Sequence, residues 1–333
     1  METLKEKEIK IYARANDFLQ VQGIDDLAKL IQVPIKLLLE LIEKSDESYH
    51  AFKIPKKRGG YREIDSPNSS LKLIQKRINY LLSVIYYGMK PACVHGFVKT
   101  VTEHGESFSI VSNAAQHVKE QYVVNMDLQD FFHTIDIWRV KSVFMSYPFF
   151  FGNDVAAFLA LLTTYQERLP MGAPTSPVVS NLACFLFDRR MMRFSEEQEL
   201  CFTRYADDLT FSSNRKITDT TVRAATEIIK EYGFAVNEEK TRIFTSRGQQ
   251  VVTGLKVNEK VNVDRKYIRN IRAMLNNWAT HGLVKASSQN ENAFQFLNIL
   301  KGKLDFLSMV RGKNDTIYQK LHEKFWNLQQ QLA

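Results

Sequence analysis

Cysteine is scarce in this chain. Cys93, Cys184 and Cys201 are odd in number, widely spaced and without a Cys-x-x-Cys pair. That argues against a disulfide scaffold and a zinc site, and for a reducing compartment. Cys184 and Cys201 sit in apolar segments, where core positions are expected. Long hydrophobic runs are also missing. The longest, such as Val155 to Leu162, fall far short of the ~20 residues that cross a bilayer. The N-terminus carries Glu2, Lys5, Glu6, Lys7 and Glu8 and no secretory pattern. A cytoplasmic protein with no membrane partner is expected. No internal repeat or low-complexity tract interrupts the chain.

What is present is an apolar content of 44% in 333 residues, enough for a sizeable core and two or three subdomains. The net charge is +8, so an anionic partner is indicated, with nucleic acid the obvious one. Charge is unevenly placed. Residues 251–333 hold 13 Lys/Arg against 6 Asp/Glu. There Arg265, Lys266, Arg269 and Arg272 begin a helix whose arginines turn to one side, a stripe suited to a phosphate backbone.

Periodicity gives the elements. Residues 1–50 read as helical, divided in two by Pro34. Residues 53–66 read as a basic hairpin around Gly59-Gly60. Helices are expected over 71–87 and 107–120, two more between 137 and 166, then 181–194 and 220–232, with only helix from Arg265 onward. Residues 169–180 read as a loop. Short strands are expected near 241–244 and 251–257.

The most informative stretch is Arg204 to Ser212. Residues 201–205 and 209–212 read as two strands, with Asp207 and Asp208 side by side at the turn. Like charges that close are costly unless a cation neutralises them. Residues 121–127 form an apolar strand ending in a third carboxylate, Asp127, and 128–135 read as a helix start. Three converging carboxylates can hold two Mg²⁺ ions about 3.5–4 Å apart, clamping an attacking hydroxyl and a leaving phosphate oxygen. That points to a nucleotide polymerase.

These residues resemble the reverse transcriptases, and within them the bacterial retron enzymes, over about residues 50–275. Tyr205-Ala206-Asp207-Asp208 looks like the catalytic hairpin, with Asp127 as first carboxylate. Leu169 to Pro177 resembles the loop against template and nucleotide, and Val236 to Thr241 the later lysine motif. Asn113-Ala114-Ala115-Gln116-His117 and Val252-Thr253-Gly254 look like the two retron elements. Met171 stands where the family usually has Gln beside the incoming nucleotide.

The resemblance implies an α+β right-hand polymerase. It assigns 1–50 to an N-terminal helical segment, 51–120 to fingers, 121–257 to the palm and 258–333 to a helical, RNA-binding thumb. Asp127, Asp207 and Asp208 become metal ligands, with the Leu128 backbone. Phe132 becomes the ring that excludes a 2′-hydroxyl, core packing being the other reading. Asp130 either shapes the triphosphate pocket or caps a helix. Arg62 and one of Lys56 or Lys57 should reach phosphates. Lys240 is a candidate for the pyrophosphate, and Met171 lies beside the nucleotide. Ala173, Pro174 and Ser176 let template approach. Asn113 and His117 are implicated in binding RNA. His95, Trp138, Trp278 and Trp326 read as structural.

By the same resemblance, the template is a cognate structured non-coding RNA. Synthesis starts from a guanosine 2′-hydroxyl, uses dNTPs and Mg²⁺, and leaves branched multicopy single-stranded DNA. The setting is bacterial anti-phage defence, with an effector protein as partner. Without length for an RNase H domain, template removal falls to a host enzyme. Two other readings stay open: a template-independent abortive-infection enzyme, and an idle RNA-binding scaffold.

Overall fold

The structure, a computed structural model, describes residues 4–56, 59–101, 107–287 and 292–332. Its elements in chain order begin with three helices, α1 (Leu4–Leu19), α2 (Ile24–Leu30) and α3 (Ile35–Glu43). The hairpin β1 (Tyr49–Pro55) and β2 (Tyr61–Pro67) follows, then α4 (Ser69–Met89), α5 (Ile110–Ala115) and β3 (Tyr122–Asp127). Next come α6 (Ile137–Met145), α7 (Asn153–Thr163), α8 (Ser176–Ala183) and α9 (Phe185–Glu197). The second hairpin is β4 (Cys201–Tyr205) and β5 (Asp208–Ser213), followed by α10 (Asp219–Glu231), β6 (Arg242–Thr245), β7 (Val251–Val252) and β8 (Leu255–Lys256). Three helices close the chain: α11 (Arg265–Ala286), α12 (Ala293–Arg311) and α13 (Thr316–Gln330).

β1 and β2 pair antiparallel, with Ile54 opposite Arg62. The main sheet has the order β4-β5-β3-β6. Two residues, Ala206 and Asp207, join β4 to β5, so that pair is antiparallel. β3 lies beside β5, which brings its last residue to the hairpin end.

Several expectations change. The N-terminal stretch holds three helices, because the chain also breaks between Leu19 and Ile24. Pro34 precedes α3 at its N-cap position. The helix expected over 107–120 is only the six residues of α5. Residues 128–135 form turns, with Asp130 at φ 44°. Asp130 therefore caps no helix. The loop after Leu169 ends early, since Pro177 sits in the first turn of α8, where its missing N–H costs nothing. Of the tryptophans read as structural, Trp278 is buried and Trp326, 41% exposed, packs on Phe325, whereas Trp138 is 70% exposed.

The chain divides into two compact units. One comprises Met1–Ser109, Val124–Phe211 and Ile217–Arg242; the other comprises Ile110–Val123, Ser212–Lys216 and Ile243–Ala333. The first contains most of the main sheet, buried on one side under α9 and α10. Val124, Met126, Phe194, Phe211 and Ala225 line a closely packed interior there. The second has its own core, in which Leu275 and Trp278 of α11 meet Phe296, Leu300 and Leu304 of α12 and Phe325 of α13.

In the second unit, β7 and β8 form a hairpin whose turn residues, Thr253 and Gly254, have φ 47° and 81°. Two successive left-handed residues are what a tight two-residue hairpin requires. The turn is tied to α5 by a bond from Thr253 Oγ1 to the Ile110 carbonyl (3.1 Å). Lys119 N–H donates to the Val257 carbonyl (3.0 Å). Among the described residues, no helix is long and apolar enough to cross a membrane.

Leu300 is fully buried in the second unit's core. Leu300→Ala should lower unfolding stability by about 3 kcal/mol in urea denaturation. A loss under about 1 kcal/mol would show that α11, α12 and α13 do not share that core.

Candidate active site

The site is assembled from the ends of three segments in the first unit. β3 is a buried apolar strand that terminates in Asp127. The β4–β5 turn carries Asp207 and opens directly into Asp208. The third segment, 235–237, runs beside the end of β3: Gln129 N–H donates to Ala235 O and Asn237 N–H to Asp127 O, both at 2.8 Å. A single 3₁₀ turn, Glu238–Lys240, then swings Lys240 over the carboxylate. Lys240 Nζ lies 3.0 and 2.8 Å from the two Asp127 oxygens. The turn is bonded to β3 as well, since Leu128 N–H donates to Asp207 O at 3.0 Å.

The electrostatics follow from this crowding. Burial raises the Asp207 carboxyl above its ordinary range; the Asp127 charge adds to the rise, while Lys240 and Arg62 oppose it. Asp208 is pushed up to about 7, first by the protein packed around it and then by Asp207 and Asp127. Arg62, projecting from β2, is thus near enough for its charge to be felt at the turn.

The donor chemistry fits divalent cations. Three carboxylates supply hard oxygen ligands of the kind Mg²⁺ takes, and their mutual repulsion is what such an ion relieves. Among the described residues, no three acidic, histidine or cysteine groups form a finished metal cage. In this arrangement an ammonium, that of Lys240, neutralises Asp127.

The remaining expected residues divide in two. Phe132 is half-buried, edge-on to Phe131 at 5.4 Å and 5.9 Å from Phe97. Phe131 is the core residue of that pair, stacked on Phe234. Met171 is half-buried and its carbonyl accepts from Asp65 N–H at 2.9 Å. Gly172 beside it has φ 142°, and a Cβ there would lie 2.7 Å from Asp65 O. That close approach joins the loop to β2. Ala173 and Ser176 are buried, and Ser176 Oγ donates to Pro170 O (2.7 Å), so both shape the loop from inside. Pro174 is half-buried. Lys56 is exposed; Lys57 lies outside the described residues.

In the second unit, Arg265, Lys266, Arg269 and Arg272 are exposed on α11. Asn113 and His117 are not: both are buried, and His117 Nδ1 is hydrogen-bonded to Ser212 Oγ at 2.7 Å. Among the described residues, neither end of the Asn113 carboxamide has a hydrogen-bond partner. Of these residues, only the α11 cations stand at the surface.

Sequence reasoning passed over Arg204, Asp188 and Gly96. All three lie within or against the catalytic hairpin. The signal was there for two of them: single charges at positions that apolar periodicity would place inside.

Because the folded protein holds a proton on Asp208 that the unfolded chain releases near pH 4, metal-free stability should fall as pH rises from about 4 to about 7. Asp208→Asn should therefore raise Tm in EDTA at pH 7.5 and lose that advantage near pH 4. An equal Tm gain at both pH values would contradict this assignment.

A model of the reverse transcriptase (RNA-dependent DNA polymerase) family matches residues 54–297. The chain is 36% identical over 257 residues to a retron Mx65 reverse transcriptase from Myxococcus xanthus, covering 72% of this chain and 58% of that protein. It is 29% identical to a retron Ec86 reverse transcriptase from Escherichia coli, covering 92% and 91%. It is 30% identical to a retron Ec73 reverse transcriptase, also from Escherichia coli, covering 86% and 89%. With carboxylates at the hairpin turn and the facing strand end, these matches place the fold among right-hand polymerases, and the chain belongs to the retron reverse transcriptases, RNA-directed DNA polymerases.

Proposed function

We propose that this polymerase copies one cognate structured RNA into DNA, starting from a guanosine 2′-hydroxyl and leaving a branched RNA–DNA product. The observation that carries the catalytic part is the meeting of Asp127 with the Asp207–Asp208 turn under Lys240. In this reading Asp127, Asp207 and Asp208 hold two Mg²⁺ ions, with the Leu128 backbone beside them. Bound Mg²⁺ would lower the pKa of the attacking hydroxyl and offset charge on the transferring phosphoryl group.

The protein's own groups do the rest. Arg62 presents a planar fork to the triphosphate and lends positive potential to the turn. Lys240, paired with Asp127 here, would be free to neutralise the departing pyrophosphate once Asp127 held a cation. Phe132 lies under the sugar, where a flat ring leaves no room for a 2′-hydroxyl. The Leu169–Ser176 loop, anchored to β2 through Met171 and Gly172, backs the nucleotide. The α11 cations hold the RNA backbone, and residues 258–333 act as the thumb. We assign β1–β2 to the fingers and the main sheet to the palm.

The biological reading follows the family: anti-phage defence, with an effector protein and a host RNase H acting on the product. The matching retron elements support it. Asn113–His117 and Val252–Gly254 lie in one unit, joined through Thr253 and Ile110.

Primer extension on the co-encoded RNA with Mg²⁺ tests this. The wild type should give RNA-dependent, branched product, and Asp207→Asn or Asp208→Asn should lower synthesis by about 10³-fold or more. Products made without template, or no incorporation by the wild type, would contradict it. Met171→Gln should change dNTP KM more than RNA Kd; equal changes would remove the loop from the nucleotide site.

A further inference from the structure

Arg204 is the largest fully buried side chain of the described residues. It lies in β4, next to Tyr205. Its guanidinium meets Asp188 of α9 in a two-point fork, Nε to Oδ1 at 2.5 Å and Nη2 to Oδ2 at 2.6 Å. Asp188 is fully buried as well. The third guanidinium nitrogen, Nη1, donates to the Ala206 carbonyl at 3.1 Å.

A buried ion pair is a poor source of stability. Apolar residues of similar volume often serve as well or better. What an apolar side chain cannot supply is the donor to Ala206. That residue has φ 58°, a left-handed conformation uncommon for a residue with a Cβ, so its surroundings must hold it. It is also the residue that delivers Asp207 and Asp208 to the turn.

The surroundings hold it from three sides. Arg204 fixes the Ala206 carbonyl, and Leu128 N–H fixes the next one, that of Asp207. On the far side of β4, Cys93 O accepts from Arg204 N–H at 2.8 Å, and His95 N–H donates to Arg204 O at 3.0 Å. There Gly96 approaches so closely that a Cβ would lie 2.4 Å from Ala206 N. The Gly96 carbonyl in turn accepts from Asn181 of α8 at 3.0 Å. Helices α8 and α9, which continue from the Leu169–Ser176 loop, thus grip both flanks of the turn.

We propose that Arg204 and Asp188 are positioning residues for polymerisation: the pair, through the Ala206 carbonyl, sets where the carboxylates of the β4–β5 turn stand. The pair touches neither substrate nor metal. This inference rests on the reading of Asp207 and Asp208 as the catalytic carboxylates.

The test replaces the pair with apolar residues, Asp188→Leu with Arg204→Met, in the full chain. This double variant should melt near the wild-type Tm and bind the cognate RNA with unchanged Kd. Its kcat should fall ~100-fold, the order of loss that a misplacement of about 1 Å brings. Its half-saturating Mg²⁺ should rise several-fold, a readout that a merely structural pair would not move. Arg204→Lys, which keeps a cation for Asp188 without the planar fork, should shift kcat and Mg²⁺ in the same direction by ~10-fold.

A folded double variant with wild-type kcat and Mg²⁺ dependence overturns the proposal. So does failure of both variants to fold, which would make the pair a structural staple. Asp207→Asn, run beside them, separates the two levels of inference. If it is inactive while the pair variants are fully active, only the positioning role falls. If it polymerises normally, the underlying reading of the turn falls too.

Discussion

Repulsion between carboxylates governs this molecule. Asp207 and Asp208 are consecutive and Asp127 faces them; Asp207 and Asp127 are half-buried, and Asp208 keeps an exposed edge. Asp208 is driven to about 7, first by the protein packed around it and then by the Asp207 and Asp127 charges. A sequence that only sought stability would not gather three acids at the meeting point of two strands. Much of the neighbouring architecture can be understood as holding that arrangement against its own charge. Lys240 covers Asp127, Arg62 projects positive charge from the first hairpin, and the backbone of the turn is bonded to β3.

The same constraint explains why the supporting elements come from distant parts of the chain. The segment bearing Lys240 is threaded beside β3 by two backbone bonds, so its cation arrives at a defined place. The loop before α8 is joined to β2 by the close packing of Gly172. α8 and α9 then carry that placement to both flanks of the β4–β5 hairpin. Preorganisation of this kind matters for phosphoryl transfer, where positioning and charge stabilisation supply nearly all of the catalysis.

Much of this was legible in the amino-acid order, for particular reasons. The apolar alternation of β3 ends abruptly at Asp127, and strand formers bracket Asp207–Asp208, so the meeting of the three acids could be anticipated. Lys240 could be named, but not its bond to Asp127, which depends on how segment 235–237 lies against β3. Residues 128–135 looked like a helix start, yet Asp130 adopts a left-handed turn because the chain must leave the strand end sharply. For Asn113 and His117 the resemblance implied a role in binding RNA. They are interior residues, since short α5 is drawn under the β7–β8 hairpin. Trp138 was misplaced for a simpler reason: aromatic character alone does not say which helix face is covered. Arg204 was passed over because a charge at an inward strand position signals burial but does not name its partner, here Asp188, sixteen residues earlier.

The central claim is that Asp127, Asp207 and Asp208 share divalent cations when nucleic acid and nucleotide are bound, with Lys240 displaced. Anomalous scattering from Mn²⁺ in crystals of the complex with its RNA, a terminated primer and a dNTP tests this directly. The expected result is a peak within ligand distance of Asp127, Asp207 and Asp208, with Lys240 Nζ withdrawn from Asp127. A peak ligated without Asp127, or Lys240 still paired with it beside bound nucleotide, would contradict it.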